Sequence, residues 1–190
     1  MKVKKAIDLF KKHGSIHIHD GPDFQWITDG SAIYPLFELP DFTEETICIA
    51  YDIDFKKSAK MNIKRYPDLP ESINLEDSIK EEKEVEEYTK FSLIYGGRCL
   101  KAFVAENGIV FIDSAYLAPL SDISYENIRY FERTSTQGTT YIAVKNGLEL
   151  VAAIFPVKVI EDTFVAEINT FAQLCETTFD IQNHKKGGAK

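Results

Sequence analysis

Three of the four histidines, His13, His17 and His19, fall within seven residues of one another in a chain of 190. On a β-strand, residues two apart point to the same side about 7 Å from each other, so His17 and His19 would share one face while Ile16 and Ile18 take the other. Two imidazoles so placed are potential ligands for one metal ion; the plainer expectation is an amphipathic strand with its isoleucines inward. No nucleophile signature accompanies them. There is no Gly-x-Ser-x-Gly and no glycine-rich phosphate loop ending in Lys-Ser/Thr, and Tyr95-Gly96-Gly97-Arg98 reads as a turn or bulge. Cys48, Cys99 and Cys175 lie far apart in apolar segments and are expected as buried free thiols. Asp113, Asp52 and Asp54 offer a weak magnesium alternative. No cofactor is expected.

His-x-His at the end of an apolar strand resembles the first metal motif of the amidohydrolase superfamily. That resemblance implies a small metal-dependent hydrolase with His17 and His19 as ligands. The later histidines and metal-binding aspartate of that family have no counterpart, since the fourth histidine is His184 in the tail.

The elements that must position these residues are legible from periodicity. Val3, Ala6, Ile7 and Phe10 recur at helical spacing before Gly14, which predicts a helix over 2–13. Phe164, Ile168, Phe171, Ala172 and Cys175 predict a second over 163–177. Segment 76–90, with the thin stripe Ile79, Val85 and Tyr88, is a third helical candidate. Asp29-Gly30, Asn107-Gly108 and Asn146-Gly147 are each flanked by apolar, β-prone residues, the pattern of tight type I′ hairpins, and imply at least six strands.

Superposing Asp29-Gly30 on Asn107-Gly108, and allowing three extra residues in the second copy, brings Asp41-Phe42-Thr43 onto Asp122-Ile123-Ser124, and Ile47 onto Ile128. The expected fold is therefore α+β, an antiparallel sheet built from β-hairpins in two similar halves with the N- and C-terminal helices packed on it. Expected divisions are 1–67, an acidic linker or surface helix over 68–90, a second hairpin unit with the C-terminal helix over 91–180 and a tail over 181–190, or else one compact domain over 1–180. The tandem helix-and-hairpin layout, with the phrases Tyr141-Ile-Ala-Val-Lys-Asn-Gly and Ala153-Ile154-Phe155-Pro156-Val157, resembles the DNA sliding clamps in arrangement, which implies nucleic acid as a partner.

Charge and composition narrow the function classes. With 44% hydrophobic and 12% aromatic residues, disorder is excluded. No apolar run approaches the roughly 18 residues that would span a bilayer, so a cytoplasmic chain is expected. The net charge of −8 is concentrated in 68–90, where nine acids face Lys80, Lys83 and Lys90. Lys2, Lys4 and Lys5 with Lys56, Lys57 and Lys60 form two basic stretches that could meet nucleic acid. The expected function is a non-enzymatic binding or assembly module, self-associating or holding a protein or nucleic-acid partner. Its candidate contacts are Trp26, Tyr34, Phe37 and Phe42, seconded by Tyr116, Tyr125, Tyr130 and Phe131. A third alternative is an inhibitor presenting Glu81, Glu82, Glu84, Glu86 and Glu87 as a phosphate mimic to a nucleic-acid enzyme.

Overall fold

The computed structural model describes residues 1–54, 60–106, 108–159 and 161–187. The chain divides into two units, Met1–Val157 and Lys158–Lys190. The first is α+β. It begins with α1 (Val3–His13), whose last turn carries Lys11, Lys12 and His13 and closes on Gly14, where the Gly14 N–H donates to the Phe10 carbonyl at 2.9 Å. Then come β1 (Ser15–Asp20), β2 (Gln25–Thr28), β3 (Ala32–Pro35), α2 (Glu44–Ala50) and β4 (Asn62–Tyr66), followed by β5 (Lys83–Tyr95), β6 (Arg98–Ala105) and β7 (Gly108–Asp113). Two 3-10 segments, Ser114–Leu120 and Tyr125–Asn127, lead into β8 (Ile128–Thr134), β9 (Thr140–Asn146) and β10 (Glu149–Ile154). Among the described residues these strands form one sheet of ten in the order β4-β1-β2-β3-β10-β9-β8-β5-β6-β7. All neighbours are antiparallel except β1 and β4.

Each face of the sheet has its own apolar core. On one face Ala6, Ile7 and Phe10 of α1 join Ile16, Ile18, Ile27, Tyr34 and Val144 of the strands. On the other, Trp26, Ile33, Tyr141, Ala143, Leu150 and Ala153 pack with Ile73, Leu69 and Leu75, which belong to no strand. Strands β2 and β3 are consequently buried at every position. The parity of the strands sorts neighbours between the two layers, Trp26 from Ile27 and Ile33 from Tyr34.

Several expectations change. Segment 76–90 is not a helix; from Lys83 it is the 13-residue strand β5. Glu and Lys favour helices only weakly, and here cross-strand pairing decides. Glu84 meets Arg129 on β8, and Glu87 meets Lys101 on β6 at 2.8 Å. Residues 68–82 are not a linker but a strap lying over the second face within the first unit. Asp29-Gly30 does join β2 to β3, through a longer loop: Asp29 Oδ1 accepts from the Ser31 and Ala32 N–H groups at 2.9 and 3.2 Å, and pairing resumes at Thr28 opposite Ile33. In the β9–β10 hairpin Asn146 already pairs with Glu149, so Gly147 and Leu148 make the turn. Tyr95 pairs with Arg98 around Gly96-Gly97, both at positive φ (56° and 76°), which is the type I′ signature at a dipeptide not assigned to a hairpin above. Asn107 lies outside the described residues.

The second unit contains α3 (Asp162–Gly187), longer than the expected 163–177. Ile168, Phe171 and Leu174 are exposed on it. Among the described residues no helix is long and apolar enough to cross a membrane.

Candidate binding cavity

The strap is fastened by an arginine that is itself inside the protein. Arg133, on β8, is 1% exposed and its guanidinium faces the strap's backbone. Nη1 donates to the Asn74 and Glu76 carbonyls at 3.1 and 2.8 Å, Nη2 to Asp77 O at 3.2 Å, and Nε to Glu82 Oε2 at 2.9 Å. Lys145, 3% exposed, pairs with the other oxygen of Glu82 and lies 4.2 Å over the Phe131 ring. Burial opposes ionisation of Glu82, but the hydrogen bonds from Lys145 and Arg133 outweigh it and hold the carboxyl below its usual range. Tyr141 completes the fastening: its hydroxyl donates to Asn74 O at 3.0 Å and accepts the Asn74 N–H at 3.1 Å. The Leu150 N–H donates to Asp77 Oδ1 at 2.8 Å.

Between this strap and the loop leading into β2 lies a cavity of about 680 Å³. Its floor is Trp26, Phe24, Leu69, Ile73, Leu75 and Leu150; at its rim stand Asp23, Glu71, Glu76 and Asp77. Asp77 is engaged by Leu150, whereas Asp23, Glu71 and Glu76 are exposed and have no cation paired with them among the described residues. The loop wall is set by Gly21, whose N–H donates to Phe24 O at 3.1 Å. A Cβ there would sit 2.6 Å from that same oxygen and 3.3 Å from Trp26 Nε1. Phe24 also packs edge-on against Phe37, ring centres 4.5 Å apart.

A second, smaller cavity of about 330 Å³ adjoins it across Ile73 and contains His17, His19, Tyr66, Thr28 and Ser72. Both histidines do point to one side, as the strand parity requires, and each also makes structural contacts. Tyr66 stacks on His19 (4.8 Å, 12°) and meets His17 edge-on (5.5 Å). His17 Nε2 accepts from Asn62 Nδ2 at 3.0 Å and contacts Ser15 Oγ at 3.1 Å, so its lone pair is taken; His19 Nδ1 donates to Asp68 O at 2.9 Å. Burial, then His19 and Lys64, lower the His17 pKa. Among the described residues no group of three or more His, Cys, Asp or Glu side chains is placed to hold a metal ion. The third clustered histidine, His13, works elsewhere. His13 Nδ1 and the Tyr116 hydroxyl each donate at 2.7 Å to Asp29 Oδ2, which ties the end of α1 to the β2–β3 loop and the first 3-10 segment.

The four aromatics expected as one contact surface are split by the sheet. Trp26 packs on Phe24 at the larger cavity, Tyr34 and Phe42 are buried in the opposite core, where Tyr34 OH donates to Tyr116 O at 2.5 Å, and Phe37 packs against that opposite core while also meeting Phe24 edge-on. Tyr116 and Tyr130 are buried and Tyr125 is exposed. Of the five glutamates expected as a phosphate mimic, Glu82, Glu84 and Glu87 are neutralised by partners, leaving Glu81 and Glu86. Lys5 Nζ donates to Ser121 Oγ, and Lys60 lies beside Lys11, Lys12, Asp52 and Asp54, a mixed rather than a basic surface. Lys2 and Lys4 are on or next to α1; Lys56 and Lys57 lie outside the described residues. Of the thiols only Cys48 is buried; Cys99 and Cys175 are exposed. Sequence reasoning found Trp26 but missed the strap residues, because the acidity of 68–90 hid the apolar Leu69, Ile73 and Leu75.

Comparison with protein-family models, with curated proteins and with solved structures finds no match.

Proposed function

We propose that the chain is a non-enzymatic binding module and that its partner seats in the cavity beneath the strap. The observation that carries this is the cavity itself: its volume falls in the roughly 300–1,000 Å³ range of ligand sites, and its apolar floor is topped by a few polar groups. Trp26 is the chain's single tryptophan and forms part of that floor, so its emission reports occupancy directly. A neutral apolar dye such as N-phenyl-1-naphthylamine should show saturable energy transfer from Trp26. A Leu69→Phe/Leu75→Phe variant, which fills the space, should weaken it at least tenfold. Absence of saturable transfer, or equal transfer in both proteins, contradicts the proposal.

Self-association is a second reading, favoured by the exposed apolar residues of the β5–β6–β7 end: Phe91, Ile94, Val104 and Ile109 are 46%, 80%, 50% and 43% exposed. The sheet edges argue less for it. On β4 the Arg65 N–H is occupied by Glu44 Oε1, and on β7 the Phe111 carbonyl by the Val157 N–H. A single monomeric species in sedimentation velocity at tens of micromolar would remove this reading.

A duplicated origin is supported by parallel features of the two halves. In each, a three-stranded meander is followed by a hydroxyl residue at a helical N-cap, Thr43 or Ser124, and by a strand returning to pair with the first of the three. That return is parallel in one half and antiparallel in the other, which separates them.

A further inference from the structure

The proposed seat has a chemical preference written into its rim, and we infer that its occupant is a cationic segment of a protein partner: an apolar side chain flanked by lysine or arginine. The inference rests on the seat proposed above and names what fills it. Three observations converge. The floor buries Trp26, Ile73 and Leu150 while leaving open space above them, which suits an apolar side chain entering from outside. Asp23, Glu71 and Glu76 stand at the mouth without internal counter-charges, whereas the neighbouring Glu82, Glu84 and Glu87 are each paired within the protein. Trp26 lines the cavity and is 3% exposed, yet among the described residues no acceptor pairs with its indole N–H, and no buried polar atom lacks a partner; that N–H therefore keeps some contact with solvent.

An entering peptide satisfies all three. Its apolar side chain covers the floor, its cations meet the rim, and a backbone carbonyl can take the indole proton. A nucleic acid fails at the rim, where its phosphates would face three carboxylates. The volume also exceeds what one small cation needs and matches a short stretch of chain.

The test uses the full chain and Trp26 emission as readout. Three degenerate peptide pools lacking tryptophan are compared, each with Phe or Leu at the centre and flanked by Lys/Arg, by Ser, or by Asp/Glu. The Lys/Arg pool should bind at least tenfold more tightly than the other two, and raising the salt should weaken it several-fold, as expected for exposed charges. A Glu71→Lys/Glu76→Lys variant, altered only at exposed positions, should lose that preference while still taking up the neutral dye. If the dye enters but the three pools bind alike, the inference falls and the seat stands; if neither dye nor any pool alters Trp26 emission, both fall. Benzyltrimethylammonium binding as tightly as the Lys/Arg pool, or a saturable response to a single-stranded oligonucleotide, would also overturn the assignment to a peptide.

Discussion

The guanidinium of Arg133 makes five strap-directed hydrogen bonds, one to each of the carbonyls of Glu76, Asp77 and Asn74 and two to Glu82, a set that suits a planar fork. Removing it would leave Glu82 with Lys145, Asn74 O with Tyr141, and the Glu76 and Asp77 carbonyls without their arginine donor. Truncating one partner of a buried pair costs about 3–5 kcal/mol, so Arg133→Ala should lower the unfolding free energy by that order. Arg133→Lys keeps the charge but not the fork; it should remain folded and still expose the strap, seen as faster amide exchange over 69–77. Gly21 is the other single-residue constraint, because a Cβ would meet Phe24 O at 2.6 Å. Gly21→Ala should shift the Trp26 emission maximum and cost about 1–3 kcal/mol. Protonation provides a check on both cavities. The Glu82 pKa is lowered in the fold, so its stabilisation is complete above the ordinary carboxylate pKa of about 4.3 and is lost as pH falls through the folded value. The His17 pKa is also lowered: the fold favours neutral imidazole, with full stability above about pH 6.5 and loss below it. Urea midpoints should therefore drop between pH 7.5 and 5.5, and His17→Gln should flatten that dependence; an unchanged slope contradicts it.

At the scale of elements, the readable features were those whose signal is local. Helix α1 follows from Ala6, Ile7, Phe10 and Gly14. The hairpins were legible as places where the chain reverses, but not in register: Asn146 pairs instead of turning, and Gly96-Gly97 turns with no Asn or Asp to announce it. Strand β5 was hidden because Glu and Lys read as helical, while the cations that pair with it, Arg129 and Lys101, lie 45 and 14 residues from Glu84 and Glu87. The strap was hidden for the same reason. Its anchors on β8, β9 and β10 are distant in sequence, and nothing local to 68–82 identifies them.

For the whole molecule, the fold class and the separation of the histidine face from the isoleucine face were legible. Covering of the sheet on both sides was not. A ten-stranded sheet has two apolar faces to protect, and here helices and 3-10 segments cover one while a looped, acidic strap covers the other. The strap does so incompletely, and the cavity is what it leaves open. The central claim is that this opening receives a partner, and Trp26 is placed to report it. Titrating the neutral dye into the wild-type chain and into Leu69→Phe/Leu75→Phe, with Trp26 as energy donor, is the most direct measurement. Saturable transfer weakened at least tenfold in the filled variant is the predicted result, and equal transfer in the two proteins, or none in either, would contradict it.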